Sequence, residues 1–162
     1  MENGLIPQLM KSVTPMPRQC SRTRCSAPKS IFSSIGTVVH VRDDQMDAVT
    51  ALSGSGPAYV YLLAEALAAA GTQLGLAPDV AAKLAAQTIH GAGKLLCESH
   101  DTPGELRRKV TSPGGTTAAG IAALEAHDFA GAVAACVSAA CERGHELGRE
   151  AAESLGLTKS GK

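Results

Sequence analysis

The near absence of aromatic side chains is the feature that most constrains the fold of this sequence. Phe, Tyr and Trp make up 2% of the 162 residues, although apolar residues together reach 44%. The core must therefore be built from aliphatic and alanine side chains, which favours closely packed helices over a β-sandwich. A chain of this length predicts one domain of ordinary size with some additional loose chain.

From Asp47 onward the apolar pattern is that of helices. Start and stop residues predict five of them: one with Ser55 as N-cap and Pro57 in its first turn, one from Pro78 to about Glu98, a short one after Thr102-Pro103, one from about Ala118 capped by Thr116 or Thr117, and a long last one from Phe129.

Small residues recur along these helices and would let their backbones approach closely: Ala66, Ala69, Ala70, Ala86, Gly91 and Gly93. Alanine occupies much of the circumference of several helices, which indicates burial on more than one side. In so small a domain, that implies a partner subunit.

The first 46 residues differ from the rest. Residues 1–30 mix Pro, Ser and Arg without apolar periodicity and are predicted to be mostly disordered. Their Arg- and Ser-rich, acid-poor composition also resembles an organelle transit peptide, an open alternative to a remnant of a larger protein or a frame-disturbed segment. The β-branched run "IGTVVHV", residues 35–41, predicts one short strand that has no second strand to pair with.

Several functional classes are disfavoured. The net charge is zero without a basic stripe in the folded part, so nucleic acid is not an expected partner. Five cysteines and five histidines show no metal-ligand spacing, and we expect reduced thiols, no metal site and a cytoplasmic protein. No apolar run reaches the roughly 18 residues of a membrane span. The "SGSGP" and "GAGK" stretches, at 53–57 and 91–94, lack the spacing of nucleotide-binding loops.

The stretch "TSPGGTTAAG", residues 111–120, predicts an anion site. Pro113 ends the preceding helix and Gly114-Gly115 allow a tight turn. The following helix would then present unpaired backbone N–H groups and a partial positive charge, with the Thr117 hydroxyl beside them. A small carboxylate fits this arrangement, and an ordinary capped glycine turn is the alternative.

Two polar clusters stand before this turn, and both allow two interpretations. Glu98, His100 and Asp101 could supply an acid or base, although a solvated loop at a helix end is favoured. The basic run 107–109 would attract anions to the turn, although such runs are usually solvated faces.

Two motifs resemble delta-1-pyrroline-5-carboxylate reductase, the last enzyme of proline biosynthesis. They are "PGELRRKVTSPGGTTAAGIAALE", residues 103–125, and "DAVTALSGSGPAYVYLLAEAL", residues 47–67, in the order and at the separation found in that family. The resemblance extends over about residues 31–150.

This resemblance implies an all-α, Ala-rich helical bundle that forms an interlocked dimer, alone or in an oligomer of dimers. It further implies that Ser112, Gly115, Thr116 and Thr117 bind 1-pyrroline-5-carboxylate, with backbone N–H groups on the carboxylate. Thr117 would be the catalytic residue, its hydroxyl meeting the ring nitrogen of the imine. NAD(P)H would deliver hydride to the imine carbon and give proline.

The sequence departs from the family before Ile31, where no glycine-rich loop or βαβ unit supplies a cofactor domain. We therefore expect a truncated reductase, inactive alone, with no cofactor-binding residues of its own. Its expected segments are a disordered or remnant segment (1–30), the last strand of the cofactor domain (31–46), the helical dimerisation and substrate-loop domain (47–155) and a disordered tail (156–162). The alternative is a non-enzymatic dimerisation module that pairs with full-length reductase subunits.

Overall fold

The computed structural model describes residues 36–156, and within this range the chain is built from helices. A 3-10 turn at Asp43–Gln45 leads into six α-helices with one π-helical segment, Thr50–Gly54, after the first: α1 Met46–Val49, α2 Gly56–Gln73, α3 Pro78–Glu98, α4 Pro103–Lys109, α5 Thr116–Ala126 and α6 Phe129–Ser154. The expected all-α architecture is confirmed. The segments predicted to be disordered lie outside the described residues, apart from Gly156.

The strand predicted over 35–41 is not formed in the part that the structure describes. Residues 36–42 are irregular, and Val39 alone occupies an isolated bridge position. The physical reason is the one that made this strand doubtful: a β-branched run has no ladder to join unless neighbouring strands offer their backbone groups.

The described chain divides into two compact units, one formed by 36–57 with 134–156 and the other by 58–133. In the first unit Asp47, on α1, meets α6: its Oδ2 lies 3.1 Å from His145 Nε2. A Cβ added at Gly144 would lie 3.0 Å from Asp47 Oδ1, so the glycine admits this close approach. Ala51, in the π-helical segment, is buried.

Ser55 is not the N-cap that the sequence predicts. Its backbone is helical (φ −83°, ψ −20°), whereas an N-cap is extended, and its N–H donates to the Thr50 carbonyl five residues earlier. The hydroxyl of Ser53 donates to the Val49 carbonyl in the same segment. The chain thus enters α2 from a π-helical turn and not from a capped start.

In the second unit the connection from α2 to α3 turns at a glycine. Gly75 has φ +97°, and the Leu76 N–H donates to the Gly71 carbonyl, as in a Schellman ending. Pro78 then starts α3 as predicted. A Cβ on Gly71 would lie 3.2 Å from the Ala81 Cβ, so small residues do set this helix contact, and Ala81 is buried there.

The small residues singled out in the sequence are not the ones that pack within the chain. Cβ atoms added at Gly91 and Gly93 would meet no described atom within 4 Å, and Ala66, Ala69, Ala70 and Ala86 are exposed. Large apolar side chains are exposed beside them on α2 and α3: Val60, Tyr61, Leu62, Leu63, Leu67, Val80, Leu84, Leu95 and Leu96. A fold whose apolar helix faces are this open needs a partner to cover them.

Helix α4 begins with a capping box. The Glu105 N–H donates to the Thr102 hydroxyl oxygen at 3.3 Å, and the Glu105 carboxylate accepts from the Thr102 backbone N–H at 2.7 Å. Pro103 follows in the first turn, where its missing N–H costs nothing. The local sequence therefore fixes where α4 starts, nine residues before Ser112.

We expect Thr102→Ala to lower the free energy of unfolding by about 1 kcal/mol, the usual cost of losing a threonine cap. Thr72→Ala is the matched control, because the Thr72 hydroxyl donates to the Ala68 carbonyl within α2 and is not at a helix start. Urea denaturation of both variants measures the difference. Equal stability losses would show that the Thr102 cap contributes nothing special.

The capping box also sets a pH dependence. Hydrogen bonds from the Thr102 backbone N–H and then its hydroxyl lower the pKa of Glu105 from its ordinary 4.5. Because the folded-state pKa is depressed, this contribution is present above pH 4.5 and is lost as the pH falls through the folded-state pKa. The stability difference between the wild type and Thr102→Ala should shrink on acidification over that range.

No single helix among residues 36–156 has the length and apolar composition to cross a membrane; α5 and α6 reach both only when they are taken together across the bend between them.

Candidate functional site

The glycine turn, residues 112–115, follows the C-terminal end of α4, where the last carbonyls of the helix accept hydrogen bonds. The Arg107 carbonyl accepts from the Val110 N–H at 3.2 Å and from the Thr111 hydroxyl at 2.7 Å, and the Thr111 N–H donates to the Arg108 carbonyl. These bonds satisfy groups that a helix C-terminus would otherwise leave unpaired. Thr111 thereby fixes the direction in which the chain leaves α4, a role that the sequence analysis missed.

Residues 112–115 form one tight turn. The Gly115 N–H donates to the Ser112 carbonyl at 3.1 Å, and Gly114 has φ +69°. Proline at the second position and a left-handed glycine at the third are the residues that a type II turn favours. Position 114 therefore favours glycine because its backbone is in the left-handed region, which other residues rarely adopt.

Gly115 is a glycine for a different reason. Its φ of −78° suits any residue, but a Cβ there would overlap the Ser112 Oγ and lie 3.2 Å from the Ser112 carbonyl oxygen. A side chain at this position would therefore require the Ser112 hydroxyl to rotate and the turn to open slightly.

Helix α5 starts two residues earlier than predicted. Gly115 is its N-cap, and Thr116 and Thr117 are its first two residues, so neither hydroxyl is a cap; no side chain caps this helix. The first bond of the helix runs from the Ala119 N–H to the Gly115 carbonyl at 3.2 Å. The N–H groups of Thr116, Thr117 and Ala118 thus precede the first helical hydrogen bond.

The structure brings all four predicted site residues into this one turn and helix start. Ser112, Thr116 and Thr117 are exposed, and Gly115 is half-buried. The Gly115 N–H is already used by the Ser112 carbonyl, so the first-turn N–H groups of α5 are the available donors. The Thr117 hydroxyl stands on the same turn of helix, and its catalytic role stays a prediction.

The basic run before the turn is paired with carboxylates. Arg107 Nη1 lies 3.5 Å from Glu125 Oε1 near the end of α5, Arg108 Nη2 lies 3.9 Å from Glu105 Oε1, and Lys109 Nζ lies 2.5 Å from Asp101 Oδ2. These side chains therefore do more than form a solvated face, because two of them connect α4 to other elements. The Arg107–Glu125 pair was not foreseen, since the two residues are far apart in the sequence.

Asp101 holds the loop between α3 and α4. Its carboxylate accepts from Lys109 and from the Ser99 hydroxyl at 2.9 Å, and its N–H donates to the same hydroxyl. The bond from Lys109, followed by that from Ser99, lowers the pKa of Asp101. A carboxylate held ionised in this way acts as a structural anchor of the loop, a role beside the two that the sequence allowed for this cluster.

Metal-ligand clusters and the "SGSGP" stretch can be checked directly in the described residues. Residues 36–156 bring together no group of three His, Cys, Asp or Glu side chains that could hold a metal ion. The "SGSGP" stretch lies in the π-helical segment and the start of α2, so it forms no phosphate-binding loop. Cys97, Cys136 and Cys141 are free thiols.

Comparison with known proteins identifies the domain. Residues 43–147 match the family described as pyrroline-5-carboxylate reductase dimerisation. The pyrroline-5-carboxylate reductase of Synechocystis sp. is 51% identical over 122 residues, which cover 75% of this chain and 46% of the relative. That of Pseudomonas aeruginosa is 43% identical over 139 residues, covering 85% of this chain and 50% of the relative.

Solved structures agree with the sequences. The pyrroline-5-carboxylate reductase of Coxiella burnetii superposes with a TM-score of 0.79 at 36% identity, over 85% of this chain and 52% of that one. The Plasmodium falciparum enzyme, solved with NADP bound, gives a TM-score of 0.71 at 35% identity, over 85% and 56%. The chain spans about half the length of the curated relatives it matches. With both its helical fold and its sequence matching, the chain belongs to the pyrroline-5-carboxylate reductase family through that family's dimerisation domain.

Proposed function

We propose that this chain binds the carboxylate of 1-pyrroline-5-carboxylate at residues 112–117 and serves the NAD(P)H-dependent reduction of that imine to L-proline. The observation that carries the proposal is the uncapped start of α5. The N–H groups of Thr116, Thr117 and Ala118 have no helical acceptor, and no side chain caps them. A carboxylate supplies acceptor oxygens and a negative charge that the N-terminal end of a helix favours.

The ring of the bound imine would then lie over the first turn of α5. The Thr117 hydroxyl is the hydrogen-bonding side chain that we assign to the ring nitrogen, where it orients the imine and holds a proton near the atom that gains one. The reduced nicotinamide supplies the hydride for the imine carbon. What this chain contributes is orientation and electrostatic stabilisation, the usual contributions of a protein to a cofactor reaction.

We assign the exposed apolar faces of α2 and α3 to an interlocked homodimer. Nine large apolar side chains are exposed on these two helices, and alanines and glycines among them leave room for another helix to approach. The same faces would also serve mixed dimers with full-length reductase subunits. Co-expression with a differently tagged family enzyme separates these two outcomes, since mixed dimers would be recovered through either tag.

Titration of the ¹⁵N-labelled chain with L-proline tests the proposed function. L-proline carries the same carboxylate on a saturated ring, so we expect saturable shifts of the Thr116, Thr117 and Ala118 amide signals. Pyrrolidine, which has the ring without the carboxylate, is the control and should leave these signals in place. Shifts that are equal for both compounds, or absent at these residues, would contradict a carboxylate site at the start of α5.

A further inference from the structure

The two helices that flank the turn are tied by one charge pair that the chemistry of the site does not use. Arg107 lies in the last turn of α4, and Glu125 lies in the last turn of α5, with 3.5 Å between Nη1 and Oε1. Between them the chain makes the Ser112–Gly115 turn and the first turn of α5. We propose that Arg107 and Glu125 are positioning residues, which set how the α5 N–H groups face the substrate carboxylate; this inference rests on the proposed function.

Arg107 contacts both sides of the turn at once. Its carbonyl accepts the Thr111 hydroxyl and the Val110 N–H, which direct the chain into the turn, while its guanidinium reaches the helix that follows the turn. A shift of Arg107 relative to α5 would therefore change the entry of the turn and the direction of α5 together. The other two basic residues of this run do not connect in this way: Arg108 pairs within α4, and Lys109 pairs with the preceding loop.

The turn itself has little else to hold it in place. Ser112, Pro113 and Gly114 are exposed. In residues 112–115 the structure shows two backbone hydrogen bonds, from the Gly115 N–H to the Ser112 carbonyl and from the Ala119 N–H to the Gly115 carbonyl. Both side chains of the charge pair are also more than half exposed. The pair therefore stabilises the position of the turn only weakly. Its removal should change the conformation of the turn and have a small effect on the free energy of unfolding.

The test compares Arg107→Gln with Arg108→Gln in the full chain. Both variants remove one positive charge beside the same turn, but only the first removes the bond to α5. For Arg107→Gln we expect the Kd for L-proline to rise about two- to fivefold, the effect of an exposed ion pair, with a nearly unchanged Tm. The double charge reversal, Arg107→Glu with Glu125→Arg, should restore binding toward the wild type, whereas either reversal alone should not.

A second measurement separates failure of this inference from failure of the proposed function. The hydrogen-exchange rate of the Gly115 amide reports the bond to the Ser112 carbonyl and needs no ligand. We expect it to rise in Arg107→Gln and to stay unchanged in Arg108→Gln. If the wild type does not bind L-proline but the exchange rates behave in this way, the Arg107–Glu125 pair does position the turn, and the assignment of the substrate carboxylate to this turn is wrong. Equal effects of the two variants, or no rescue by the double reversal, would overturn the positioning role.

Discussion

Thr117→Ala is expected to lower kcat/KM for 1-pyrroline-5-carboxylate by about ten- to a hundredfold, the cost of one oriented hydrogen bond to a polar or charged group. The measurement uses this chain joined, before Phe32, to the dinucleotide-binding domain of a family relative. The hydroxyl is exposed on the first turn of α5 and caps nothing. Its removal should therefore take away the proposed contact to substrate without taking away a contact within the fold.

Stability measurements make this prediction sharp. Loss of a helix cap would cost about 1 kcal/mol and lower the Tm, but Gly115 occupies the cap position of α5. We therefore expect the Tm of Thr117→Ala to stay near that of the wild type while kcat/KM falls. Thr117→Ser keeps the hydroxyl and should retain much of the activity. Thr116→Ala, one residue earlier on the same turn, is the matched control and should have the smaller effect. Full activity in Thr117→Ala would refute the catalytic assignment.

The helix starts and ends that the sequence predicted correctly are those with local chemical signals. Pro78 has no N–H to lose at a helix start, and Thr102 with Glu105 satisfies the donors of α4 within four residues. Each of these boundaries depends on residues close together in the chain, and so a local pattern was enough to find them.

The features that the sequence did not predict depend on geometry over longer distances or on competition between similar local choices. Ser55 has the chemistry of an N-cap, but the π-helical turn before it keeps its backbone helical. At α5, two threonines and a glycine could all cap the helix, and the closed turn to Ser112 selected the glycine. The Arg107–Glu125 pair joins residues on different helices and has no local pattern at all.

The exposed alanines and glycines of α2 and α3 illustrate the same limit for the core. Composition indicated burial on more than one side of these helices, and this stands as an argument for a partner. It could not say which small residues pack within the chain, where Gly71 and Ala81 make the close approach. An Ala-rich helix has nearly equivalent faces, so its amphipathic pattern does not distinguish a contact within the subunit from one between subunits.

Gly115→Ala should damage substrate binding more than any other single methyl added to the turn. The new Cβ would overlap the Ser112 Oγ, which can rotate away, but it would also press on the Ser112 carbonyl oxygen at 3.2 Å, which is part of the turn. Opening the turn weakens the bond from the Gly115 N–H and redirects the first N–H groups of α5. In the protein joined to a dinucleotide-binding domain we expect KM to rise by about tenfold, equivalent to about 1.4 kcal/mol, with a smaller change in kcat.

Gly114→Ala is the matched control, because it adds the same methyl group one residue away, where the methyl acts through backbone strain and not through a steric contact. A Cβ at Gly114 meets no described atom within 4 Å, but φ is +69°, so alanine there carries backbone strain of about 1–2 kcal/mol. Gly114→Ala should therefore lower the Tm, and Gly114→Asn should lower it less, since asparagine tolerates the left-handed region. Ser112→Ala combined with Gly115→Ala removes the overlapping hydroxyl but leaves the contact with the carbonyl, so it should recover only part of the loss. An unchanged KM in Gly115→Ala, with the turn opened as judged by faster exchange of the residue-115 amide, would show that the carboxylate is held elsewhere.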